Sequence, residues 1–117
     1  GTYKTTVNDM DEFYIKPQDY GVRTGVRKLS ITDADGVGLM ICNPDRDLSF
    51  TARHFTQALM QRSMHRDDIH SENTTAIDID GFLRGTGTGS CGPDVLPQYT
   101  VDGRKELAYS FVIVPIK

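Results

Sequence analysis

Asp78 and Asp80, in residues 76–82 AIDIDGF, invite a paired-carboxylate reading, because glycosidases set two acids about 5–9 Å apart across the bond they cleave. Residues i and i+2 of a strand point the same way, so these two cannot flank a glycosidic bond from opposite sides. They read instead as solvent-facing groups or as acceptors for loop backbone. Just downstream, residues 87–92, GTGSCG, match G-x-G-x-x-G. That pattern holds a pyrophosphate only where a helix N-terminus follows, and Pro93 and Pro97 follow here. No Walker sequence is present. Cys91 lies in the same run and would act as a nucleophile only beside a histidine or another electropositive neighbour, which the sequence does not supply.

Metal chemistry fares no better. Asp33-x-Asp35-Gly36 starts like a calcium loop, yet Val37 takes the next ligand position and no glutamate falls at the twelfth place. His54, His65 and His70 are spaced by eleven and five, which fits neither a helical zinc pair nor a finger. No metal site and no catalytic residue are therefore expected in this chain.

The elements that carry these residues are short strands. Residues 22–32 read as one strand, Asp33-Ala34-Asp35-Gly36 as a turn and residues 38–42 as its partner in a β-hairpin, closed by Asn43-Pro44-Asp45. Residues 47–52 form a further strand. Thr56 is an N-cap for a short helix through Ser63, since good helix formers follow it. A strand over 75–83 leads into residues 84–97, RGTGTGSCGPDVLP, where four glycines and two prolines force a shaped loop. A short strand over 98–101 and a turn at Asp102-Gly103 precede the last strand, residues 106–116. That strand is apolar on both faces, which predicts a place inside a sandwich rather than at its edge. Residues 1–18 read as an irregular lead-in. Short strands separated by turn signals predict an all-β sandwich with one short helix.

Composition sets outer limits. With 117 residues the chain is one domain or part of one and buries about 65% of its unfolded surface. A formal charge of −3 leaves no basic field for nucleic acid or anionic lipid. No apolar run approaches the roughly 20 residues that cross a bilayer. Cys42 and Cys91 read as free thiols of a reducing cytoplasm. The start at Gly1, with no methionine or leader pattern, reads as a piece of something longer.

Two blocks, in order, carry a family resemblance. Residues 14–25, YIKPQDYGVRTG, resemble a pattern Y-[VI]-x-P-Q/S-E/D-x-G-x-R, and the strand and loop AIDIDGF…RGTGTGSCGP resemble NIDGF running into GTGSCGP or GGDDSWSP. Both belong to the C-terminal domain (domain 5, the small-chain region) of bacterial glycoside hydrolase family 2 β-galactosidases. The similarity covers nearly the whole chain.

The resemblance implies that residues 1–117 are the C-terminal part of a galactose mutarotase-like supersandwich. Its parent would be a retaining hydrolase of terminal β-D-galactosides such as lactose, whose two catalytic glutamates lie in a separate TIM barrel. It further implies a cytoplasmic, oligomeric parent, with the TIM-barrel and other domains, or a large subunit, as partners of this chain. Mg²⁺ and a monovalent cation would serve that parent at sites outside this chain, which itself is expected to hold no cofactor. In the loop, Gly89, Ser90, Cys91 and Gly92 fall where the family borders the aglycone side of the active site, and Cys91 takes the place of a tryptophan in some members. A cysteine has no aromatic face for a sugar ring. The competing expectation is a stand-alone carbohydrate-binding module, although the chain has no tryptophan and Phe13, Tyr14, Tyr20, Phe55, Phe82 and Tyr99 look like core or loop anchors.

Overall fold

The computed structural model describes residues 1–15, 20–85 and 92–117. Their strands are β1 (Arg23–Val26), β2 (Lys28–Thr32), β3 (Gly38–Cys42), β4 (Leu48–Arg53), β5 (Ala76–Asp80) and β6 (Val112–Ile116), with α1 (Gln57–Arg62) between β4 and β5. Single 3-10 turns sit at Asn8–Met10, Arg66–Asp68 and Pro97–Tyr99. The described residues are thus all-β in class, with one short α-helix and two three-stranded sheets ordered β1-β4-β5 and β2-β3-β6. No helix among them is long and apolar enough to cross a membrane.

The chain divides into two compact units. The first comprises Gly1–Thr24 and Phe50–Ile79, and its core is Ile15, Tyr20, Phe55, Leu59 and Ile69 with Met60 packed against them. Helix α1 supplies Leu59 to that core. It starts where the sequence predicts, because the Thr56 hydroxyl accepts a hydrogen bond from the Leu59 N–H at 3.2 Å and satisfies a donor the helix cannot pair. Tyr20 meets Phe55 edge to face at 5.4 Å between ring centroids.

The second unit comprises Gly25–Ser49 and Asp80–Lys117. The hairpin β2–β3 is antiparallel, with Lys28 opposite Cys42 and Thr32 opposite Gly38. Its turn is the Asp33 turn of the sequence: the Asp33 carboxylate accepts from the N–H groups of Asp35 (2.9 Å) and Val37 (3.0 Å), and Gly36 takes φ +84°. Strand β6 pairs antiparallel with β3, Met40 facing Val114.

Three expectations are corrected. The single strand over 22–32 is two, β1 ending at Val26 and β2 beginning at Lys28, with the break at Arg27 and Gly25 at φ +68° inside β1. The short strand over 98–101 gives way to the 3-10 turn begun by Pro97, whose fixed φ suits a helical first position. The last strand is confined to Val112–Ile116 and lies at the edge of its sheet, with Val112, Ile113 and Val114 38–51% exposed. Its apolar faces require cover that the described residues do not give.

Gly38 and Gly36 make the hairpin's glycines separable. A Cβ at Gly38 would stand 1.9 Å from the Ile31 carbonyl oxygen, whereas one at Gly36 would meet nothing within 4 Å. Gly38→Ala should therefore cost about 2–3 kcal/mol through backbone displacement, and Gly36→Ala about 1–2 kcal/mol through its left-handed φ alone. Urea midpoints of the two variants check the order.

Candidate functional site

The stem of the glycine-rich segment lies in the second unit and is built on close backbone approach. At Gly81, directly after β5, a Cβ would fall 2.1 Å from Cγ of Tyr109, so the tyrosine ring occupies the place of a side chain. Phe82 meets the same ring edge-on (6.3 Å, 86°), Phe111 stacks on it (6.2 Å, 29°), and the Arg46 guanidinium caps Phe82 at 4.4 Å from its centroid. Four residues on, the Gly85 N–H donates to the Tyr99 carbonyl at 2.8 Å, and a Cβ there would lie 2.7 Å from Cβ of Tyr99. Beyond it the Arg84 guanidinium pairs with the Asp94 carboxylate, which also accepts from the Val95 N–H at 2.7 Å. Those two partners hold the Asp94 carboxyl below its usual range, the backbone donor first. Val95 is buried. Of the loop residues singled out in the sequence, Gly92 is exposed in a bend, while Gly89, Ser90 and Cys91 lie outside the described residues.

Asp78 belongs to the first unit and is occupied. Its carboxylate sits 2.7 Å from Nη1 of Arg53, a side chain only 2% exposed, and accepts from the Thr51 hydroxyl at 3.3 Å. Arg53 also donates to Oε1 of Gln57 at 2.9 Å, but its Nε has no partner. A carboxylate neutralising a buried guanidinium is a structural counter-ion, not half of an acid pair. Nothing in the sequence marks Arg53, since an arginine on a strand is ordinarily read as solvent-facing.

The remaining polar groups of the first unit hold backbone. A shallow cavity of about 380 Å³ is lined by residues 71–75 with Asn8 and His54. Its carboxylate, Glu72, accepts from the Thr56 N–H at 2.8 Å, and His54 Nδ1 lies 3.2 Å from the Thr75 hydroxyl. Asp68 accepts from the N–H groups of Met64 and His65, which lower its pKa. Among the described residues, no group of three or more His, Cys, Asp or Glu side chains converges as a metal ion would need. Near the first sequence block, the Tyr20 hydroxyl donates to Asp11, which also pairs with Arg66, and it accepts from the Glu12 N–H at 2.7 Å. Burial, then the Asp11 carboxylate, pushes the Tyr20 phenol up to about 12.

Residues 1–113 match the model of the family described as beta galactosidase small chain. The chain belongs to that family. Within it, this small-chain region is 30% identical over 109 residues to a beta-galactosidase of Staphylococcus xylosus, covering 93% of this chain and 11% of that protein. A beta-galactosidase of Halalkalibacterium halodurans is 28% identical over 113 residues, 96% of this chain and 11% of its own length. A beta-galactosidase of Actinobacillus pleuropneumoniae is 26% identical over 99 residues, 85% of this chain and 9% of its own length. The small-chain region thus spans about a tenth of the length of the curated relatives it matches.

Two outcomes follow for this region. Asp78→Ala takes the half-exposed counter-ion from a buried guanidinium and should destabilise by about 1–3 kcal/mol, whereas Arg53→Met with Asp78→Ala recovers most of that loss; chemical denaturation of both variants decides it. In alkali the unfolded chain loses the Tyr20 proton near its ordinary 10 while the folded chain keeps it to about 12. Stability is then whole below pH 10 and falls as pH rises through that window. Tyrosinate absorbance should show one late-titrating tyrosine, absent in Tyr20→Phe.

Proposed function

We propose that this chain is a C-terminal, non-catalytic part of a β-galactosidase that hydrolyses terminal β-D-galactosides such as lactose with retention. The observation that carries this is the match of residues 1–113 to the small-chain family, joined to beta-galactosidase relatives roughly ten times as long. The acid/base and nucleophilic glutamates belong to another part of the polypeptide or to a large subunit. The engagement of Asp78 by Arg53 favours that division of labour. Any Mg²⁺ and monovalent cation of the parent would likewise be held outside this chain, in a cytoplasmic oligomer.

The exposed apolar strand β6 supports a partner of the same parentage. In a mutarotase-like supersandwich, strands from outside residues 1–117 would cover its faces and outer edge, as its two-sided apolar sequence requires. The segment containing Gly89, Ser90, Cys91 and Gly92 would then form the aglycone-side rim. It contributes shape there rather than a stacking face, Cys91 standing where relatives of the resemblance carry tryptophan.

The chain alone should show no turnover of a chromogenic galactoside, while the full polypeptide that carries it should. Cys91→Trp in that polypeptide adds a flat surface and should change aglycone or acceptor binding by about 0.5–1.5 kcal/mol, with galactosyl transfer to the enzyme altered less. Comparison of lactose with aryl galactosides, and transfer to added glucose, reads both effects. Turnover by the chain alone, after contaminating host enzyme is removed, overturns the proposal. Saturable sugar binding by the isolated chain, with a full polypeptide inactive on galactosides, points instead to a carbohydrate-binding module.

A further inference from the structure

We propose that Tyr109 is a positioning residue for the stem 82–85, acting through the missing side chain of Gly81, with Gly85 on Cβ and the carbonyl of Tyr99 as a second seat. The assignment deepens the rim function proposed above and rests on it for its catalytic consequence. Gly81 directly follows β5 and is the last residue before the stem 82–85. A Cβ there would overlap three atoms of Tyr109 at 2.1–2.6 Å, all within the side chain, so the ring lies against the bare Cα. Phe82 and Phe111 hold the ring from two other sides, and Tyr109 stands only three residues before β6, which β3 fixes in register.

The second seat differs in kind. A Cβ at Gly85 would meet Cβ of Tyr99 first, at 2.7 Å, with the ring carbon Cγ at 3.4 Å and the carbonyl oxygen at 3.7 Å, while Tyr99 as a whole is more than half exposed. Its N–H is tied to the Tyr99 carbonyl, and the 3-10 turn Pro97–Tyr99 sets where that carbonyl points. The stem is therefore pinned at residues 81 and 85, once by an aromatic ring and once by backbone. An enzyme side chain or loop held about 1 Å from its place can lose a large factor in rate, so a stem pinned twice by close contact has a function to protect.

The two seats predict a specific pattern of variants, read in the full polypeptide by hydrogen exchange with mass spectrometry and by kinetics. Tyr109→Ala, Gly81→Ala and Gly85→Ala should each speed exchange in peptides spanning 81–85 and 95–100 by about tenfold or more, with the β2–β3 hairpin unchanged. Tyr109→Phe and Tyr99→Ala should match the parent, since the first keeps the ring and the second keeps Cβ and the backbone. The same three loosening variants should raise the KM for acceptor glucose by about tenfold while kcat for an aryl galactoside stays within about twofold. If Tyr109→Ala also loosens the hairpin, Gly81→Ala carries the test of the ring seat, because it keeps the ring and fills the space the ring occupies.

Unchanged exchange at 81–85 in Gly81→Ala and Tyr109→Ala overturns the positioning role. Loss of protection in Tyr99→Ala equal to that in Gly85→Ala overturns the backbone seat. Faster exchange with an unaltered acceptor KM leaves the seats in place and overturns the rim function instead, so the two failures are told apart.

Discussion

The course of residues 82–85 depends on one steric fact, that residue 81 has no side chain. Tyr109 fills the volume a Cβ would take, and the ring is itself clamped by Phe82 and Phe111. Close packing of this sort has little tolerance, because an inserted methyl must displace either a strand end or an aromatic cluster. In the same unit Gly85 donates to the Tyr99 carbonyl, Arg84 pairs with Asp94, and Val95 is buried.

Charge organises the other unit. A guanidinium that is 2% exposed needs a counter-ion, and Asp78 is it. The pair joins neighbouring strands β4 and β5, while Tyr20, Asp11 and Arg66 fasten residues 11–12 to the core of the same unit. Asp78, one of the two acids that suggest glycosidase chemistry in the sequence, is thus spent on structure.

Much of this was legible in the sequence where the signal is local. Asp33 and Gly36 specify a turn by their own side-chain and backbone chemistry, and Thr56 specifies a helix start in the same way. The two blocks at 14–25 and 76–93 point to the family because motif order survives where overall identity is 26–30%. What failed was non-local. Two-sided apolarity of residues 106–116 correctly implies cover on both faces, but it cannot say whether the covering atoms belong to this chain, and β6 is an edge strand within it. The break at Arg27 has no turn residue to mark it, and Gly25, the nearest glycine, lies inside β1. Arg53 and Tyr109 give no signal at all, since one is known by its burial and the other by the glycine it faces 28 positions earlier in the chain.

A double-mutant cycle on Gly81 and Tyr109 tests the central steric claim most directly. Unfolding free energies are measured for the parent, Gly81→Ala, Tyr109→Ala and the double variant. If the ring occupies the place of the missing side chain, Gly81→Ala is costly beside the tyrosine and nearly free once the ring is gone, giving a coupling of about 1–3 kcal/mol. Additivity of the two substitutions within about 0.5 kcal/mol would contradict the claim, leaving Gly81 as an ordinary strand end and Tyr109 as an independent surface aromatic.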